Sequence, residues 1–75
     1  MSGKIEIDSR KLRGKPVIKG TRIPVYLILE MLANGMGIDE ILKEYPELSE
    51  EDIREAINYA SKILKKEELY EISVR

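Results

Sequence analysis

The chain is 75 residues long with 43% hydrophobic and 36% charged residues, a composition that folds as one small globular domain and is too short for a large enzyme fold with its own deep cleft. It contains no cysteine and no histidine, which removes disulfides, thiol chemistry and the commonest general base and metal ligand. The formal net charge of −1 hides a split: residues 1–25 carry seven bases against two acids, a balance of +5, and residues 26–75 carry six bases against twelve acids, a balance of −6.

Such a split implies two surfaces with different partners. The simpler alternative is a solvated surface whose charges pair within a homodimer. No apolar run approaches the ~18 residues of a membrane span, and Met1 to Glu6 lacks the apolar stretch of a signal peptide. A cytoplasmic protein without membrane attachment is therefore expected. Gln is absent while Glu, Lys and Ile are abundant, a composition that leans towards a thermophile. A core this small makes oligomerisation a natural source of added stability.

The expected fold is mainly α: a three-helix, helix-turn-helix-like (homeodomain-like) core over residues 24–66, a basic extended arm over 1–23 with a short β arm or hairpin, and a tail over 67–75. Ile5-Glu6-Ile7 alternates and Val17-Ile18 is β-branched, so both suit short strands; Pro16 places the second at a sheet edge. Gly20 suits a tight turn of positive φ. Pro24 suits the first helical position, which leaves Ile23 as a poor cap and Thr21 or Arg22 to supply the missing contact.

Helix 1 is expected from about Pro24 to Asn34, with Asn34-Gly35 as its end. It is apolar nearly all round and has to be covered on nearly all sides. Two further helices in so short a chain do not easily do that, so a homodimer interface through Tyr26, Leu27, Leu29 and Met31 is expected; the alternative is a central helix wrapped by the arm. Helix 2 is expected from about Ile38 to Tyr45, with Ile38, Ile41, Leu42 and Tyr45 on one face and Pro46 as its stop. Helix 3 starts after an N-cap at Ser49, with Leu48 and Ile53 forming a hydrophobic staple. Its apolar positions Ile53, Ala56, Ile57, Ala60, Ile63 and Leu64 carry it to about Lys66. Tyr70, Ile72 and Val74 then alternate as in a strand, which pairs with the arm, adds to another protein's sheet or frays.

Helices 2 and 3 have the order of a helix-turn-helix. A recognition helix presents its N-terminal residues to a major groove, and here those are Glu50, Glu51, Asp52 and Glu55, which phosphates repel. If DNA is bound, the better candidates are Arg10, Lys11, Arg13, Lys15, Lys19 and Arg22 of the arm, reaching phosphates or a minor groove; Arg22 has the alternative of bracing the turn or pairing with an acidic helix. No nucleophile–base pair, glycine-rich phosphate loop or metal-ligand spacing is present. The expectation is a non-enzyme with no catalytic residues, cofactor, metal or small-molecule substrate. Glu30, a carboxylate within an apolar helix, is expected to pair with a base from the arm.

Gly14-Lys15-Pro16-Val17-Ile18-Lys19-Gly20-Thr21-Arg22-Ile23-Pro24-Val25 closely resembles the signature of the family known as domain of unknown function 433. The pattern continues through Leu32-Ala33-Asn34-Gly35, Ile41-Leu42-Lys43-Glu44-Tyr45-Pro46, Leu48-Ser49-Glu50-Glu51-Asp52-Ile53 and Ala56-Ile57-Asn58-Tyr59-Ala60, covering about residues 5–64. The resemblance leads one to expect Ser or a similar cap at position 37, where this chain has Gly. The resemblance implies a small helical domain with a helix-turn-helix-like core. It also implies an antitoxin-like role in a type II toxin–antitoxin pair, beside a small nuclease-like protein of the PIN class, with no catalytic residues to carry over. In that role helix 1 would supply the dimer, the basic arm would bind promoter DNA, and the acidic body and tail (Glu67, Glu68, Tyr70, Glu71 and Ile72) would contact the toxin. Two readings compete with it: a dimeric DNA-binding transcriptional regulator without a toxin partner, and a non-catalytic dimeric interaction module.

Overall fold

The computed structural model describes residues 3–74 along the backbone and residues 3–66 in their side chains. The elements in chain order are β1 (Ile5–Glu6), a 3-10 turn (Leu12–Gly14), β2 (Val17–Ile18), α1 (Val25–Ala33), α2 (Ile38–Glu44) and α3 (Glu50–Val74). Three helices thus follow a short antiparallel hairpin in which Ile5 faces Ile18 and Glu6 faces Val17.

The hairpin is part of the core. Val17 is 0% and Ile18 1% exposed, and β1 packs on α3. The expected edge position of β2 does not hold. On its second side Val17 forms a bridge to Pro24, and the Ile18 N–H donates to the Ile23 carbonyl at 3.0 Å. Pro16 permits this because it lies just outside the strand and offers only its carbonyl, which accepts the Val25 N–H at 2.9 Å.

The connection between these segments is a turn closed by Thr21 N–H to the Ile18 carbonyl at 3.0 Å. Gly20 occupies its third position with φ +83°, the sign that a type II turn requires and that a Cβ disfavours. Thr21 braces the turn: its hydroxyl donates to the Ile18 carbonyl at 2.8 Å and accepts from the Ile23 N–H at 3.0 Å. The cap of α1 is Pro24 rather than Ile23, without a side-chain bond. The first helical donor is satisfied from outside the helix, the Val25 N–H going to the Pro16 carbonyl.

α1 ends in a Schellman motif, with Met36 N–H on the Met31 carbonyl and Gly35 N–H on the Leu32 carbonyl, both at 3.0 Å. Gly35 has the φ of +91° that this ending needs. α2 follows a Gly37 cap whose N–H donates to Glu40 Oε1 at 2.8 Å; glycine has no side chain to return the bond, so only half of a capping box exists. α3 has the full box: Ser49 N–H donates to Asp52 Oδ2 at 2.9 Å and Asp52 N–H to Ser49 Oγ at 3.2 Å. The staple pair Leu48 and Ile53 is buried in the same cluster.

α1 packs on both α2 and α3, and α2 on α3. Ile18, Ile28, Ile41, Ile53 and Ala56 form the centre of the core, each no more than 1% exposed. The tail is not a strand: α3 continues to Val74, 25 residues in all. Nothing stops it, since no Gly or Pro follows Pro46, and its Lys- and Glu-rich second half favours helix.

Candidate functional site

The surfaces available to a partner are the basic N-terminal third, the acidic start of α3, and an apolar strip between α1 and α3. The six arm bases fall into three groups. Arg10 and Lys11 are held locally. The Asp8 carboxylate accepts the Arg10 backbone N–H at 2.9 Å, Nε at 3.1 Å and Nη2 at 3.0 Å, and Lys11 Nζ donates to Glu6 Oε1 at 3.1 Å across the β1 connection. The side-chain bond from Arg10, then its backbone bond, hold the Asp8 carboxyl down from 3.8 to about 2; Arg10 is raised in return by the same bond. Lys15 forms the second group, with Nζ 5.8 Å from the centroid of the Tyr26 ring, within cation–π reach.

Arg13, Lys19 and Arg22 form the third group. All three are exposed and none has an ion-pair partner among the described residues. Arg22 therefore neither braces the turn, which Thr21 does, nor pairs with an acidic helix among the described residues. Arg13 sits at φ +59° beside Leu12 at +49°, a left-handed excursion that carries the chain from the loop into β2. Glu30 is exposed and likewise has no base partner among the described residues.

The acids that open α3 are already engaged. Asp52 is 8% exposed and serves as the reciprocal cap. Lys4 Nζ lies 3.6 Å from Asp52 and 3.7 Å from Glu51, and Arg54 pairs with Glu50 at 3.4 Å. The sequence identifies Ser49 as the cap, but not Asp52 as its partner or Lys4 as the tie between hairpin and helix. The Ser-x-x-Asp spacing carries the first signal; the second depends on tertiary packing.

The residues expected at a subunit interface are divided. Met31 is 8% exposed and belongs to the chain's own core, so it is a packing residue here rather than a surface contact. Leu27 and Leu29 are half-buried, and Tyr26 is 48% exposed. Tyr26 and Leu29 adjoin α3 residues of the same apolar spacing as Ile53 and Ala56: Ile57, Ile63 and Leu64 are 43%, 44% and 62% exposed. An open apolar groove of about 350 Å³ lies beside them, lined by Tyr26, Leu29, Ala60, Ile63 and Leu64 with Lys15 among its residues. The side chains of Glu67, Glu68, Tyr70, Glu71 and Ile72 lie outside the described residues.

Among the described residues no group of three or more acids is placed to hold a metal ion, and no helix is long and apolar enough to cross a membrane. The family profile described as "Protein of unknown function (DUF433)" matches residues 5–60. The chain belongs to the DUF433 family. The match spans the hairpin, all of α1 and α2, and the first part of α3. A DUF433 member protein from Anabaena variabilis ATCC 29413, known from its crystal structure, superimposes with a TM-score of 0.80 at 29% identity, over 87% of this chain and 64% of that one. The uncharacterized protein y4eO of Sinorhizobium fredii (strain NBRC 101917 / NGR234) is 43% identical over 49 residues, 65% of this chain. This chain thus corresponds to 22% of that relative's length.

Proposed function

We propose that this DUF433 domain is a non-catalytic, antitoxin-type binding protein. On this reading it contacts duplex DNA through Arg13, Lys15, Lys19 and Arg22, and neutralises a small PIN-like nuclease through its acidic surface. The observation that carries the DNA half is the state of the arm bases: Arg10 and Lys11 are bound to acids, whereas Arg13, Lys19 and Arg22 are exposed without acid partners among the described residues. Unpaired surface bases gain most from phosphate, because no internal ion pair has to be broken and counterions are released. The acids that open α3 (Glu50, Glu51, Asp52 and Glu55) support the same assignment, since acidic charge at the start of that helix disfavours its approach to a phosphate backbone.

The toxin half is supported by the balance of −6 over residues 26–75 and by the role the family resemblance implies. An acidic surface can occupy the basic RNA groove of a nuclease. Reversing the charge of Glu67, Glu68 and Glu71 weakens that contact on this reading, and unchanged affinity contradicts it.

The test of the DNA half is fluorescence anisotropy with a duplex from upstream of the chain's own gene, titrated across salt. Replacing Arg13, Lys19 and Arg22 by Ala reduces the slope of log affinity against log salt by about 0.9 for each phosphate that is no longer neutralised. Arg10→Ala leaves it nearly unchanged. Equal effects from both variants contradict the assignment. A pull-down from extract of the native host at moderate salt tests the toxin half. Stoichiometric recovery of a small nuclease-like protein supports it, and recovery of the chain alone supports the second reading, a DNA-binding regulator without a toxin partner that uses the same basic surface.

A further inference from the structure

The connection from β1 to β2 is a small closed loop. A Cβ at Gly14 would stand 3.8 Å from the Ser9 Cα, so residues 10–13 lie beyond a close approach of its two limbs. The bonds inside it are short-range: Lys11 N–H donates to the Asp8 carbonyl at 2.8 Å, Gly14 N–H to the Lys11 carbonyl at 2.9 Å and Lys15 N–H to the Leu12 carbonyl at 3.2 Å. The Asp8 carboxylate clamps Arg10, and Glu6 holds Lys11. The paired bases therefore fix the loop, and Arg13, which has no acid partner among the described residues, is displayed by it.

At its turn the backbone is left-handed for three residues in succession, with φ of +49° at Leu12, +59° at Arg13 and +80° at Gly14. Glycine takes that conformation freely, whereas leucine and arginine adopt it against the steric penalty of a Cβ. Among the described residues these two alone take a positive φ without being glycine. Leu12 nevertheless stays 39% exposed, and Arg13 is exposed as well. Strain of this kind persists where the surrounding structure holds a side chain in place for a ligand.

The chemistry of the pair says which ligand fits. An unpaired guanidinium beside an exposed apolar side chain, on a loop already fixed, matches the minor groove of duplex DNA. The narrow groove of an A·T tract concentrates negative potential that draws an arginine, and an apolar residue beside it wedges against the base step. A guanidinium is more weakly hydrated than an ammonium, so Arg13 suits the groove and Lys19 suits a phosphate. Arg22 lacks the apolar companion, because its neighbours Thr21 and Ile23 are half-buried and buried.

We propose that Leu12 and Arg13 are the reading element of the DNA surface, with Arg13 in the minor groove of an A·T-rich duplex and Leu12 against the bases, while Lys15, Lys19 and Arg22 lie on phosphates. The assignment rests on the duplex-DNA reading above and adds to it which residues sense base composition.

Fluorescence anisotropy with three duplexes of equal length is the test. The first has an A·T tract at its centre, the second has G·C pairs there, and the third carries inosine in place of the guanines of the second. Inosine lacks the guanine amino group that projects into the minor groove, and it keeps the major-groove acceptors. The wild-type chain is expected to bind the A·T duplex at least about fivefold more tightly than the G·C duplex, and the inosine duplex nearly as tightly as the A·T one. Arg13→Ala is expected to abolish the preference, and Lys19→Ala to weaken all three by the same factor. Leu12→Gly is expected to raise the denaturant midpoint, because glycine relieves the left-handed strain, and yet to weaken binding to the A·T duplex. Equal affinity for the three duplexes, a preference that survives Arg13→Ala, or undiminished binding by Leu12→Gly overturns the proposal and leaves the duplex-DNA reading standing. Absence of binding to every duplex overturns both.

Discussion

The two halves of α3 share one apolar periodicity and put it to different uses. The first half is tied down at every level: a reciprocal cap between Ser49 and Asp52, an ion pair from Lys4 to Asp52, and Ile53 and Ala56 in the core. The second half continues the pattern with Ile57, Ile63 and Leu64 exposed. Hydrophobic spacing therefore tells which face of a helix is apolar, while chain length decides whether that face is covered from within. Here the chain covers it over roughly the first two turns.

The largest expected effect breaks the comparison on its buried side. Ile53→Ala empties a site that is 0% exposed and is expected to cost about 2–5 kcal/mol, read as a shift in the denaturant midpoint. For a chain of 75 residues that is a large share of a total of about 4–11 kcal/mol. Next comes the cap. Ser49→Ala removes the acceptor for Asp52 N–H and is expected to cost about 0.5–2 kcal/mol, with amide exchange accelerated in the first turn of α3. Gly35→Ala is expected to cost about 1–2 kcal/mol, the penalty of a Cβ in the left-handed region, because the open space around Gly35 leaves its φ of +91° as the sole obstacle. Smallest is Leu64→Ala, whose cost in the separated chain is expected to stay within about 0.5 kcal/mol, as for other exposed sites.

A pH prediction concerns the locally held bases. The Asp8 carboxyl is depressed from 3.8 to about 2 by its bonds from Arg10. Because the folded value lies below the unfolded one, this pair's contribution is fully present above about pH 4 and lost as pH falls towards 2. Nuclear magnetic resonance titration should give an Asp8 midpoint near 2 in the wild type. Arg10→Ala should return it towards 3.8. An unchanged midpoint would contradict the assignment of Arg10 as the cause.

Local signals made most of the fold legible. The Ser49 cap, the Leu48–Ile53 staple, the Asn34-Gly35 ending and the Pro46 stop each act through residues close in sequence, and each appears in place. What the sequence did not reveal was tertiary or ambiguous in period. β2 lies between two neighbours because the Gly20 turn folds Ile23–Val25 back onto it. The end of α3 reads as a strand in Tyr70, Ile72 and Val74, yet without a glycine or proline the preceding helix simply continues. The basic arm was legible as a set of six, but its partition was not. Asp8 lies two residues from Arg10 and Glu6 lies across a turn from Lys11, and only the folded loop shows that these pairs close while Arg13, Lys19 and Arg22 stay open to solvent.

The most direct measurement is equilibrium unfolding of the wild type, Ile53→Ala and Leu64→Ala across a wide concentration series. The account predicts that Ile53→Ala loses about the same 2–5 kcal/mol at every concentration. Leu64→Ala should stay within about 0.5 kcal/mol of the wild type, as for other exposed sites. A loss at Leu64 equal to that at Ile53 in the most dilute sample would contradict the account, because it would place the second half of α3 inside the chain's own core.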